Sequence, residues 1–205
     1  EELDYVLNDA EAKAVVFEAA TAELVDTAIE AINVDDDWDD LLAHPPAAAG
    51  SRATVQDKSV MLYTSGTTGR GKGVPRRQGA ERAAAMAHVA QNQYARGEVT
   101  LGVMPLYHTM GVRSLLASVL INGHFVCQRR YDPREALTLI MDHHITNLYL
   151  VPTLYHDLLA SPFFTATDTS SVRKLGFAGQ AMTDGLLQEL DAAFKPELFV
   201  NHYGS

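Results

Sequence analysis

Short, strongly apolar runs alternate with longer amphipathic stretches along most of the chain, the pattern of parallel strands separated by covering helices. The runs that predict strands are Lys13 to Phe17, Ser59 to Thr64, Val99 to Met104, His124 to Gln128, Thr146 to Val151, Arg173 to Phe177 and Leu198 to His202. Runs such as VMLY, LGVM and LYLV have almost no polar positions, which predicts strands buried on both faces. The helices carry their own punctuation. Asp132-Pro133-Arg134-Glu135 offers an N-cap, a proline at the first helical position and a glutamate that completes a capping box, after which Leu137, Ile140 and Met141 share one face. From Gly111 to Ile121, the residues Val112, Leu115, Leu116, Val119 and Leu120 cover most of the circumference, predicting a buried helix that Asn122-Gly123 ends. Thr183 caps a further helix through Leu186, Leu187 and Leu190 to Phe194, stopped by Lys195-Pro196. The expected fold is α/β, with layered, mostly parallel sheets flanked by helices.

One segment breaks this rhythm. Asp35 to Asp40 reads DDDWDD, and His44 to Ser51 reads HPPAAAGS, so residues 35–57 are expected to be an exposed connection between an α/β piece at 1–34 and an α/β core at 58–205. Five carboxylates in six residues raise the possibility of Ca²⁺, but the run lacks the glycine and the distant bidentate glutamate of a calcium loop, and a solvated acidic loop is the better reading.

Charge narrows the function. Sixteen Lys and Arg against 26 Asp and Glu give −10 at pH 7, which opposes the phosphate-neutralising surface of a nucleic-acid binder. A single cysteine, Cys127, can form neither an internal disulfide nor a thiolate metal site, and its apolar strand predicts a buried, inert thiol. No apolar run approaches the roughly 20 residues of a membrane span, and EELDYVLNDA lacks the layout of a signal peptide, so a reducing cytoplasm is the expected compartment. Oligomeric state is not legible.

The chemistry concentrates in YTSGTTGRGKGV, from Tyr63 to Val74. Four glycines let backbone N–H groups point into one concavity, Thr64, Ser65, Thr67 and Thr68 add hydroxyls, and Lys72 adds a positive charge, so the natural guest is a polyphosphate. Gly66 to Lys72 also fits the first seven positions of G-x-x-x-x-G-K, so a P-loop NTPase must be weighed. It fails twice. Gly73 stands where a Mg²⁺-binding Ser or Thr belongs, and Val74-Pro75 prevents a helix from starting at Lys72. The glycine loop is therefore expected to be a strand-to-strand turn, with Gly73 to Gln78 as the return strand and the next helix near Ala80.

YTSGTTGRGKGV resembles the phosphate-loop signature of the adenylate-forming superfamily of acyl-CoA synthetases, firefly-type luciferases and peptide adenylation domains. Further motifs follow in that family's order. Met104-Pro105-Leu106-Tyr107-His108 resembles its P-L-x-H motif, Gly176 to Met182 (GFAGQAM) its adenine-side segment, and Asn201 to Ser205 the start of its Y-G-x-T-E motif. The run from MPLYH through VPT to FAGQAM is most similar to aryl-CoA ligases of the 4-chlorobenzoate type. Two departures stand out: Gly71 replaces the usual proline before the loop lysine, which predicts a looser loop before ATP arrives, and Gln180 replaces a small residue beside adenine.

The resemblance implies ATP-dependent activation of an acyl or aryl carboxylic acid, with Mg²⁺ accompanying ATP and coenzyme A accepting the acyl group. It assigns Lys72, Thr67, Thr68 and His108 to catalysis. Nucleotide binding falls to Thr64, Ser65, Gly66, Thr67, Thr68, Gly69, Arg70, Gly71 and Lys72 on the loop, to Gly179, Gln180 and Ala181 on one side of adenine, and to Asn201, His202, Tyr203, Gly204 and Ser205 on the other. Met104, His108, Met110, Tyr149 and Ala178 are the implied acyl-pocket wall. No residue set is assigned to a metal. His143 and His144 close a helix and read as structural, because no third ligand stands at metal spacing. The same resemblance makes the chain an N-terminal large-domain fragment without the family's C-terminal domain, expected not to complete catalysis by itself. A nucleotide-binding remnant that never turns over is the non-enzymatic alternative.

Overall fold

The computed structural model describes residues 2–26, 28–45, 50–64 and 71–203, and these form two units divided after Gln78. In the first unit, α1 (Glu2–Asp9) is followed by β1 (Ala14–Phe17), a 3₁₀ turn over Ala19–Leu24, and β2 (Glu30–Asn33), which pairs parallel to β1. The acidic segment is exposed as expected, but it is not a bare connection. Trp38–Ala43 forms a short helix, α2, with Asp39 and Asp40 in its first turn, where carboxylates suit the positive end of the helix dipole. Asp35 and Asp37 accept backbone N–H bonds from Ala19 and Asn33, both at 2.7 Å, and so close the turn after β2. The carboxylate run thus consumes its own acceptors in local folding.

Strands β3 (Lys58–Thr64) and β4 (Lys72–Arg77) pair antiparallel, with Thr64 opposite Lys72. The return strand is where the sequence puts it. Helix α1 is tied to this hairpin by two hydroxyls, Tyr5 donating to the Gly71 carbonyl at 3.1 Å and Tyr63 donating to Asp9 Oδ2 at 2.7 Å. Burial and that carboxylate raise the Tyr63 phenol to about 12.

The second unit begins within α3 (Gln78–Gln91) and alternates β5 (Val99–Gly102), α4 (Thr109–Leu120), β6 (His124–Cys127), α5 (Pro133–His143), β7 (Asn147–Leu150), α6 (Pro152–Ala160), β8 (Lys174–Phe177), α7 (Asp184–Phe194) and β9 (Leu198–Asn201). The strands make a five-stranded, wholly parallel sheet in the order β6-β5-β7-β8-β9. Side chains alternate between its faces. Leu148, Leu150, Leu175 and Phe177 enter the main core with Leu137 and Ile140 of α5, whereas Tyr149 of β7 joins a separate small cluster with Met110 and Ala178.

Helix caps behave as the sequence predicts. Asp132 Oδ1 accepts from the Glu135 amide at 2.8 Å, Thr183 Oγ1 from the Leu186 amide at 3.3 Å, and α5 ends with His144 in the left-handed region. Two expectations need correction. Helix α4 is only partly buried: Met110, Gly111, Val112, Ser114, Ala117 and Ser118 are buried and Leu115 and Leu116 half-buried, while Val119 and Leu120 are exposed. Small residues win the inner face because the helix lies against the preceding backbone, where a Cβ on Gly111 would come 2.2 Å from the Pro105 carbonyl oxygen. Cys127 is exposed, because it ends β6, the edge strand of this sheet among the described residues.

Candidate functional site

The phosphate-loop motif contributes its two flanks. Thr64 closes β3 and Lys72 opens β4 as cross-strand partners, both exposed at the loop end of the hairpin. Ser65, Gly66, Thr67, Thr68, Gly69 and Arg70 lie outside the described residues, as do Gly204 and Ser205. Lys72 begins a strand rather than a helix, so its amide does not belong to the helix N-terminus on which a P-loop NTPase depends. That alternative is excluded by backbone geometry.

The other motifs gather in the second unit, at the carboxyl ends of the parallel strands. Chain order along the sheet reverses between β5 and β7, and in open α/β sheets the crevice outside such a switch point is where ligands bind. Met104 and His108 follow β5, Val151 follows β7, Ala178 and Gly179 follow β8, and His202 and Tyr203 follow β9. Met110, Tyr149 and Ala178 pack together with Met104 and Val151 against them, so four of the proposed pocket residues form one contiguous apolar patch. His108 is exposed and caps α4: its Nδ1 accepts from the Met110 amide at 3.4 Å, which places the proton of the neutral ring on Nε2. Gly179 adopts φ +88°, a turn that favours glycine, with Gln180 and Ala181 exposed beside it. Asn201 ends β9, and the Tyr203 ring is 99% exposed and free to stack.

Beside the apolar patch lies a ring cluster. The rings of His88, Tyr149 and His202 form a triangle with centroids 4.7, 4.9 and 5.0 Å apart. His202 Nε2 donates to Asn92 Oδ1 at 3.0 Å, while Asn92 Nδ2 donates back to the His88 carbonyl at 2.8 Å. Gly176 makes room for this, since a Cβ there would stand 3.1 Å from Tyr149 and 3.3 Å from Asn92. The Arg113 guanidinium reaches the same helix, donating through Nη1 to the Ala84 carbonyl at 3.4 Å.

Electrostatics follow from burial. His88 is driven down to about 3 by desolvation, then by His202 and Arg113, so the imidazole is neutral at physiological pH. Burial lowers His202 as well, again with help from Arg113. The Tyr149 phenol is pushed up by burial, against a smaller opposing pull from Arg113.

The AMP-binding enzyme family matches the chain over residues 1–205. The chain belongs to that family. A 4-chlorobenzoate–CoA ligase from Pseudomonas sp. (strain CBS-3) is 34% identical over 148 residues, covering 71% of this chain and 28% of that protein. A chloroplastic/peroxisomal 2-succinylbenzoate–CoA ligase from Arabidopsis thaliana is 30% identical over 161 residues, covering 78% of this chain and 29% of the relative. The chain thus spans under a third of the length of either relative. Among solved structures, the N-terminal domain of FACL13 from Mycobacterium tuberculosis superposes with a TM-score of 0.89 at 20% identity, covering 100% of this chain and 53% of the other. Apo MatB from Rhodopseudomonas palustris gives 0.82 at 26% identity, covering 99% and 42%. The five-stranded parallel sheet with its flanking helices is the fold of these N-terminal domains.

Within this AMP-binding chain, sequence motifs located the strand ends correctly but missed their surroundings. His88, Asn92 and Arg113 carry no motif. Arg113 did carry a signal, as the only charged residue in α4, and Asn92 stands four residues after His88, just past the end of α3. Among the described residues, no group of three or more His, Cys, Asp or Glu could hold a metal ion. No helix of the described residues is long and apolar enough to cross a membrane.

Proposed function

We propose that the protein containing this chain joins a carboxylic acid to coenzyme A at the expense of ATP. The carboxylate oxygen attacks the α-phosphorus in line, the bond to pyrophosphate breaks, and an acyl-adenylate forms. The thiol sulfur of coenzyme A then attacks the acyl carbon and AMP departs. Neither half-reaction needs a protein nucleophile, so the chain's task is to orient anions and stabilise charge moving onto the leaving group. The observation that carries this reading is the β3–β4 hairpin of an AMP-binding chain, with Thr64 and Lys72 holding the two ends of the glycine-hydroxyl loop.

Each group then has a role. Lys72 and the loop hydroxyls and amides take the β- and γ-phosphates. Tyr203 covers one face of adenine and Gly179, Gln180 and Ala181 the other. The patch of Met104, Met110, Tyr149 and Ala178 receives the acyl or aryl body, and the Nε2–H of His108, left outward by its capping bond, donates to the reacting carboxylate. Mg²⁺ would accompany the ATP phosphates and keep several waters, as Mg²⁺ commonly does. The relatives' names favour aryl acids, and a lone exposed thiol suits a reducing compartment such as the cytoplasm.

Carboxylate-dependent exchange of labelled pyrophosphate into ATP tests the reading, followed by thioester formation with coenzyme A across an acid panel. Lys72→Ala should slow exchange by roughly 100-fold or more, as removal of other positioned transition-state donors does. ATP binding without exchange for any acid would overturn the proposal.

A further inference from the structure

The apolar patch does not account for the side of the site where α3 and α4 meet. Arg113 lies three residues after Met110, on the same face of α4. Its Nη1 is used on Ala84, one turn before His88 on α3, but its Nε is buried without an acceptor. Among the described residues no carboxylate pairs with Arg113. His88 is 4% exposed, and its Nε2 has no hydrogen-bond partner. A guanidinium N–H and an imidazole nitrogen withdrawn from water and left unpaired are costly in the ligand-free fold, and the guest that removes both deficits is an anion with accepting oxygens.

We propose that the acid accepted here carries a second carboxylate, received by Arg113 with His88 beside it. The inference rests on the reading that the protein activates a carboxylic acid, and it deepens that reading by naming the substrate class. Arg113 stands five positions beyond the His108 cap, roughly 7.5 Å along the helix axis and about 140° around it, so the spacer must be at least as long as an aromatic ring or a short aliphatic chain. One carboxylate would then react near His108 while the other is anchored at Arg113, with Met110, Tyr149 and Ala178 around the spacer. A monocarboxylate of the same shape leaves the guanidinium unpaired, the situation in which polar sites discriminate most strongly. Arginine suits this role better than lysine, because its fork can meet both oxygens while holding Ala84.

The test uses matched pairs with the full-length protein, ATP and coenzyme A: benzoate against terephthalate, and hexanoate against adipate. The dicarboxylate of at least one pair should be favoured in kcat/KM by roughly tenfold or more. Arg113→Met should erase that preference by lowering kcat/KM for the dicarboxylate roughly tenfold more than for its monocarboxylate partner, while Arg113→Lys should restore part of it. Preference for both monocarboxylates in the wild type, or an equal loss on both members of each pair in Arg113→Met, would overturn the inference and leave acid activation standing. Calorimetric titration of terephthalate and adipate into the protein without ATP separates the remaining case. Binding that depends on Arg113, with no acid turned over, upholds the dicarboxylate site and sinks only the proposed activity; no turnover and no such binding sinks both.

Discussion

Acidification should destabilise the protein through His88 before its surface carboxylates are protonated. Its folded value is about 3, against about 6.5 in an unfolded chain. Between those values the unfolded chain binds a proton that the folded chain refuses, so stability falls as pH drops, with a limiting slope of about 1.4 kcal/mol per pH unit. Stability is fully present above pH 6.5 and is lost progressively below it. Working the two-state linkage through gives a loss of about 2 kcal/mol at pH 5 and about 3.3 kcal/mol at pH 4 relative to neutral pH. His202, also lowered, adds a loss of the same sign. Urea unfolding of the wild type and of His88→Leu at pH 8, 7, 6 and 5 isolates the term, because carboxylates elsewhere titrate equally in both proteins. The wild type should lose about 2 kcal/mol more than the variant across that range. Parallel stability curves would refute the argument, showing that water or a rearranged His202 solvates the ring in the native state.

Three further substitutions test ion pairing and packing. Lys174→Met strands the Glu98 carboxylate, 3% exposed and otherwise held by Lys174 and Thr146, and should cost about 3–5 kcal/mol in chemical denaturation. Burial pushes Glu98 up, but the bonds from Lys174, Thr146 and the Ala95 amide more than offset it, so this stability is present above the unfolded carboxylate value and lost as pH falls. Gly111→Ala should cost about 1–3 kcal/mol, because the new Cβ meets backbone oxygens of Pro105 and Met104 at 2.2 and 2.5 Å, which cannot rotate away. Gly185→Ala in α7, with nothing within 4 Å, should instead stabilise by about 0.4–1 kcal/mol.

Features written in a few adjacent residues were legible in the sequence, and features assembled from distant ones were not. The Asp132-Pro133 start of α5 and the Thr183 start of α7 are local chemistry and occur as expected. Helix α6 was missed because it begins at Pro152 with Val151 as its cap, a residue that offers no side-chain acceptor. Strand β2 was missed because EAIN is too short for its alternation to register. The His202 bond to Asn92 spans 110 residues and the Lys174 bond to Glu98 spans 76, and neither spacing has a sequence signature. Binary pattern also misjudged α4: it counts apolar residues, whereas close approach to the Met104-Pro105 backbone selects small ones.

The parallel sheet separates stability from chemistry by direction. All its strands run the same way, so their amino ends share one edge and their carboxyl ends the other. At the amino edge, Glu98 before β5, Thr146 before β7 and Lys174 at the start of β8 satisfy one another's charge and hydrogen bonds, although Asn147 Oδ1 beside them stays unpaired. A carboxylate and an ammonium matched in this way hold three strands in register and have little left to offer a ligand. Elements at the carboxyl edge hold the opposite balance: Arg113 Nε and His88 Nε2 are withdrawn from water without partners, next to an apolar patch at the point where strand order reverses. Unmatched polarity costs the fold free energy and returns it only when a guest supplies the missing acceptor, so the two edges predict different mutational behaviour. Substitutions at Glu98 or Lys174 should lower stability in every condition, whereas replacing Arg113 by an apolar side chain of similar length should leave stability unchanged or raise it and take its toll on substrate choice alone.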